Sequence, residues 1–143
     1  MTDEPCPVAT GGFTPGPEDL ESVLEWFRHY DRLVLSGDIE AMADQALFPL
    51  NAVTDDASGN GSARTRSRES FIEDMRRTLP APGEFSMEPV RTPHFLSASL
   101  VFVVTEGTMT VGGGSVQVRY GDLLVRHGGR WKFQTMAQGG ASR

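Results

Sequence analysis

VRYGDLLVRHGGRWKFQ, residues 118–134, decides how this chain is read. Two stretches rich in β-branched and aromatic residues flank His127-Gly128-Gly129, and glycine supplies the positive φ that a tight hairpin needs. Side chains alternate along a strand, so Val116, Val118, Tyr120, Asp122 and Leu124 share one face. Asp122 therefore falls on the apolar face. A carboxylate there is costly unless it is paired, hydrogen-bonded or protonated.

The strand pattern extends upstream. Strands are expected at 85–92, 97–111, 115–127 and 130–138, with Gly112-Gly113-Gly114 as a second hairpin turn. The N-terminal half reads differently. Pro17 suits a first helical position, and Leu20, Val23, Leu24, Phe27, Tyr30 and Val34 recur at helical spacing up to Ser36-Gly37. Asp38 caps a short second helix, IEAMADQAL, and Pro49 cannot continue it. FPLNAVTDD then reads as a strand with Phe48, Leu50, Ala52, Thr54 and Asp56 on one face. ASGNG is a turn and SARTR a returning strand. Ser67 or Thr65 caps a third helix, RESFIEDMRRTL. Helices segregated from an antiparallel meander make an α+β domain: a curved antiparallel sheet wrapped around three helices, with a pocket between the layers. The domain is expected over 17–138, after a flexible tail at 1–16 and before a short tail at 139–143.

The chain has 143 residues, a net charge of −6 and a pI near 5.0. That balance argues against non-specific binding to nucleic acid or to acidic membranes, which needs a basic surface. No secretory signal and no run of about 20 apolar residues is present, so a cytoplasmic protein is expected. The one cysteine, Cys6, permits no internal disulfide. His29, His94 and His127 form no metal-ligand spacing, and no metal or cofactor is expected. Gly112–Ser115 is followed by no lysine and no helix, so it is not a phosphate loop. Arg64, Arg66 and Arg68 alternate with small polar residues and read as a solvated edge strand.

The helix ending in Ser-Gly-Asp, the short second helix, the strand pair, the third helix and the closing G-D-L-L-V-R-H-G-G-R-W resemble the nuclear transport factor two-like superfamily. That resemblance implies a cone-shaped, cystatin-like fold with a pocket. The superfamily includes SnoaL-like cyclases and ketosteroid isomerase, which keeps an aspartic acid protonated in an apolar site. By this resemblance Tyr30 and Asp122 stand where that enzyme places its oxyanion donors. Asp56, or Asp55, stands near its base, and His94 is an alternative base. Phe27, Phe48, Phe102, Tyr120 and Trp131 are expected to line the pocket. The implied activity is binding, with or without cofactor-free proton transfer, of a small apolar molecule bearing a carbonyl or phenol. A homodimer is also expected. The competing expectation is a non-catalytic binding or dimerisation module. There Asp122 pairs with Arg119, Arg126 or Arg91, or a bulge at Gly121 turns it outward. Glu106 follows Leu100, Phe102 and Val104 in a series expected to face inward.

Overall fold

Local capping chemistry sets the helix boundaries. In the computed structural model, which describes residues 12–140, helix α1 spans Pro17–Ser36. The Gly16 N–H donates to the Asp19 carboxylate at 2.8 Å, and Gly37 closes the helix with φ 74°. Asp38 accepts from the Ala41 N–H at 3.2 Å and starts α2, Ile39–Asp44. Ser67 and Ser70 cap α3, Arg68–Thr78, reciprocally. Helix α2 stops before the expected Leu47 because β1, Ala46–Asp55, begins there. The Phe133 N–H donates to the Gln45 carbonyl at 3.0 Å and draws the chain into the sheet. Residues 1–11, with Cys6, and 141–143 lie outside the described residues. The rest of the expected N-terminal tail includes Phe13, whose ring packs 5.7 Å from that of Phe95.

The remaining strands are β2 Gly61–Arg66, β3 Phe85–Ser97, β4 Leu100–Val111, β5 Gly114–His127 and β6 Arg130–Gln138. They form one curled sheet in the order β2-β1-β6-β5-β4-β3. The sheet is mixed, not purely antiparallel: β1 runs parallel to β6. Helix α3 carries the chain away from the β1–β2 hairpin to the far edge. The meander from β3 to β6 then returns and lands beside β1.

Two sequence expectations fail in β3 and β4. The third strand does not end at Thr92 but continues through Pro93 to Ser97. Its prolines are tolerated because β3 is an edge strand, and Pro89 and Pro93 have the same parity, so both missing N–H groups fall on one side. The face assignment of β4 is reversed. Val101, Val103 and Thr105 are buried inward, whereas Phe102, Val104 and Glu106 lie on the outer face. LVFVV is apolar at every position, so alternation could not choose between its two faces.

The core lies between the concave face of the sheet and the helices. Val23, Phe27, Met42, Leu50, Phe71 and Phe133 belong to it, and each contributes roughly 1.5–3 kcal/mol by leaving water. A bulge at Gln134 bends β6: Leu123 faces Thr135 but Leu124 faces Phe133. The Gln134 amide donates to the Pro49 carbonyl at 3.1 Å and fastens the bulge to β1. Among the described residues no helix is long and apolar enough to cross a membrane.

Gly107 on β4 faces Pro89 of the edge strand. A Cβ there would run into the Glu88 carbonyl oxygen and the Pro89 Cα, which are backbone and cannot rotate away. Gly107→Ala should therefore lower unfolding free energy by about 2 kcal/mol in urea titration. An unchanged midpoint would mean that β3 is free to move away.

Candidate functional site

A cavity of about 270 Å³ lies between α1, the end of α3 and the concave face of β3–β6. Helical spacing brings Trp26, Phe27, Tyr30, Asp31 and Val34 to it from α1. Tyr120 and Asp122 reach it from β5, as strand alternation requires. Asp122 sits on a rung with Val103 on one side and Met136 on the other. Its residue exposure is 7%, and its carboxyl has no hydrogen-bond partner among the described residues. Burial among these apolar neighbours pushes its pKa up to about 7, opposed by the Arg91 charge. Asp122 is therefore neither paired with Arg119 or Arg126 nor turned outward.

Tyr30 stacks on Trp26, with ring centroids 5.2 Å apart and planes 6° from parallel. Burial, and then the nearby Asp122 charge, push its hydroxyl pKa far above the usual tyrosine value. The phenol stays neutral and keeps its proton for donation. The Trp26 Nε1 is buried without a partner. Trp26, Tyr30 and Asp122 thus bring to this wall three polar groups without hydrogen bonds to the described residues.

Arg91 is hydrogen-bonded to both Asp31 and Tyr120. Arg91 enters from β3 with a side-chain exposure of only 8%. It donates to both Asp31 carboxylate oxygens, at 2.5 and 3.0 Å, to the Thr105 hydroxyl at 3.1 Å and to the Tyr120 hydroxyl at 3.4 Å. Its guanidinium lies 4.2 Å from the centre of the Phe27 ring. Burial lowers the Arg91 pKa, but Asp31 and Tyr120 outweigh it and the net shift is upward. Burial raises the Tyr120 pKa, and Arg91 opposes this.

The cavity brings together Tyr30, Asp122, Phe27 and Tyr120 of the expected set. It does not collect the others. Asp56 is fully exposed and caps its own turn, with its Oδ1 accepting from the Ser58 N–H at 3.0 Å, the Ser58 hydroxyl at 2.6 Å and the Asn60 N–H at 3.1 Å. Those bonds, the Ser58 hydroxyl foremost, lower its pKa and make it a weaker base. Asp55 accepts from the Gly140 N–H at 2.8 Å, at the open end of β1. His94 is exposed on the outer face of β3, opposite Phe102. Phe102 lies over Gly121 on that same outer face. Phe48 packs in the core against Phe71, 6.1 Å between centroids. Trp131 fills the far end of the core, where its Nε1 donates to the Ser22 hydroxyl at 3.1 Å.

Sequence reasoning missed Asp31, Trp26 and the role of Arg91. Asp31 follows Phe27 by four residues, so its place on the cavity face was available from helical spacing. It also missed that five of the six methionines line the cavity: Met42, Met75, Met87, Met109 and Met136. Methionine is flexible and polarisable, which gives this wall an adaptable shape. Among the described residues no group of three or more His, Cys, Asp or Glu side chains is placed to hold a metal ion.

No protein-family model matches the chain, and no curated protein matches it. Solved structures do. A nuclear transport factor two-like protein of unknown function from Pseudomonas putida is 11% identical, with 90% of each chain covered and a TM-score of 0.72. One from Shewanella oneidensis is 14% identical, covering 85% of this chain and 98% of its own, with a TM-score of 0.67. A cystatin-like fold protein from Burkholderia xenovorans is 18% identical, covering 86% and 92%, with a TM-score of 0.65. The six-stranded curled sheet and its three helices have the same cystatin-like fold as these solved structures.

Proposed function

We propose that the protein binds a small apolar molecule bearing a carbonyl or phenol oxygen, held in the cavity by the Asp122 carboxyl and the Tyr30 hydroxyl. The observation that carries this reading is a buried carboxyl without a protein hydrogen bond, facing an apolar cavity beside an equally unpartnered tyrosine. A neutral Asp122 donates to a carbonyl oxygen. The adaptable methionine wall covers the apolar body of the ligand.

Binding is favoured over turnover by where the proton acceptors lie. Asp56, Asp55 and His94 are not among the residues lining the cavity, and Asp31 is held by Arg91. Among the described carboxyls that line the cavity, this leaves Asp122, whose pKa burial pushes up to about 7, to exchange a proton with a ligand. Any proton-transfer chemistry at this site would have to use it twice, as acceptor and then as donor.

A second copy of the chain is the proposed partner. The outer face of the sheet presents Phe102, Val104, Leu123 and Val125, half-buried, with Val90 66% and Leu96 62% exposed at its edge. In a chain of net charge −6 such an apolar face is suited to its own copy. Light scattering after gel filtration should give the mass of a dimer. Leu123→Glu should give a monomer with an unchanged circular dichroism spectrum. A monomeric wild type sinks the proposal.

Two measurements test the cavity. The first is thermal shift with 2-naphthol and with an aromatic ketone. A ligand at 100 times its Kd stabilises the fold by about 2.7 kcal/mol. Tyr30→Phe should weaken binding about 3- to 10-fold, the worth of one hydrogen bond. Asp122→Leu should weaken it similarly, while Asp122→Asn, which still donates, should keep the ketone. Equal binding by all variants would remove the site from this cavity.

The second is stability against pH. The Asp122 carboxyl holds its proton up to about pH 7 when folded, against an ordinary value of 3.8. Its contribution is therefore complete below pH 4 and is lost as pH rises through 7. The loss reaches at most about 1.4 kcal/mol per pH unit. Asp122→Asn should lack this decline, so its stability should gain on the wild type from pH 4 to 7 and run parallel above. Parallel curves throughout would mean an ordinary carboxylate.

A further inference from the structure

Strand β2 is the exposed edge strand expected for Arg64 and Arg66, and both arginines lie on its inner side. Arg64 pairs with Ala52 and Arg66 with the fully buried Leu50, so both project from the concave face of β2 towards α3. There they meet Arg77 around an open cleft of about 760 Å³. Asp74 is ion-paired with Arg66 and, at 2.5 Å, with Arg77. Two of the three guanidiniums thus share one carboxylate, and the third, Arg64, has no carboxylate partner among the described residues. The like charges of Arg64 and Arg77 add to burial in lowering the Arg66 pKa, so an anion placed among them relieves repulsion. In a chain of net charge −6 this is a local excess of positive charge.

The cleft adjoins the apolar cavity. Met75, Met136 and Gln138 line both. The sheet register connects them directly, since Asp122 pairs with Met136, Met136 with Ala52 and Ala52 with Arg64 on one rung. Asp122 and Arg64 are three strands apart, roughly 14 Å between Cα atoms. We infer that the ligand is bipartite: its apolar head lies in the cavity, and a carboxylate tail crosses Met75 and Met136 to reach Arg64 and Arg77. This rests on the cavity reading above and adds the acidic class of the ligand. Arginine suits a carboxylate through its paired N–H donors. A free guanidinium beside a shared Asp74 fits a single negative charge.

The test is calorimetry at low ionic strength with para-hydroxyphenylalkanoates, from the acetate to the decanoate, each beside its methyl ester. Long acids should bind at least 10-fold more tightly than their esters. The acetate, whose charge would stay near Asp31 and Asp122, should show no preference. Arg64→Ala/Arg77→Ala, both at exposed side chains, should equalise long acid and ester without changing the ester's Kd. If esters bind through Asp122 but acids gain nothing at any length, or the gain survives the arginine variants, this inference falls and the cavity reading stands. If acids bind through the arginines and Asp122→Leu has no effect, the bipartite ligand and the cavity reading both fall. If neither acid nor ester binds, both fall as well.

Discussion

Arg91 holds the candidate site together. Its guanidinium is almost completely buried, and a charge in that position needs close partners. Asp31 comes from α1, Thr105 from β4 and Tyr120 from β5, while Phe27 offers its ring face. One side chain on the edge strand therefore ties the first helix to three strands. It also sets the electrostatics of the cavity. Asp31 neutralises Arg91 at close range, so the positive charge does not hold Asp122 in its ionised form. Asp122 remains governed by its apolar surroundings. Two carboxyls on one cavity wall thus have opposite surroundings, Asp31 an arginine and Asp122 apolar side chains.

What could be read from the chain divides along physical lines. Periodicity located Tyr30 and Asp122, because a helix and a strand each place side chains by simple repeats. Capping located the helix starts at Pro17, Ile39 and Arg68. Periodicity had no purchase on β4, where both faces are apolar, so Phe102 was assigned to the wrong side. It also had none on the parallel pairing of β1 with β6, which joins residues far apart in the chain. Asp31 and Arg91 are 60 positions apart, and nothing local in either segment announces the other. Asp56 shows the opposite case. Its turn composition described it correctly, and only the family comparison suggested a base.

The apolar cavity and the arginine cleft differ in kind although they share lining residues. The cavity is closed in by the methionines and the stacked Trp26–Tyr30 pair, and its charges are internally cancelled. The cleft is open, and its charges are not cancelled. A molecule entering by the cleft meets a long-range attraction first and a desolvated surface second. For the bipartite ligand proposed above, that order would separate capture from selection, with the arginines acting on charge and the inner wall on shape.

The bulge at Gln134 carries a further consequence. Upstream of it Trp131 and Phe133 face the core, and downstream Met136 does. These positions do not share one parity; the extra residue reconciles them. Removing a single amino acid here would leave the first half of β6 in place and rotate the second half by half a turn. Met136 would exchange faces with its neighbours, and both the floor beside Asp122 and the threshold to the arginine cleft would go with it. The cavity wall of this chain is thus specified by a frame as well as by a composition, and that frame is kept by one residue of length.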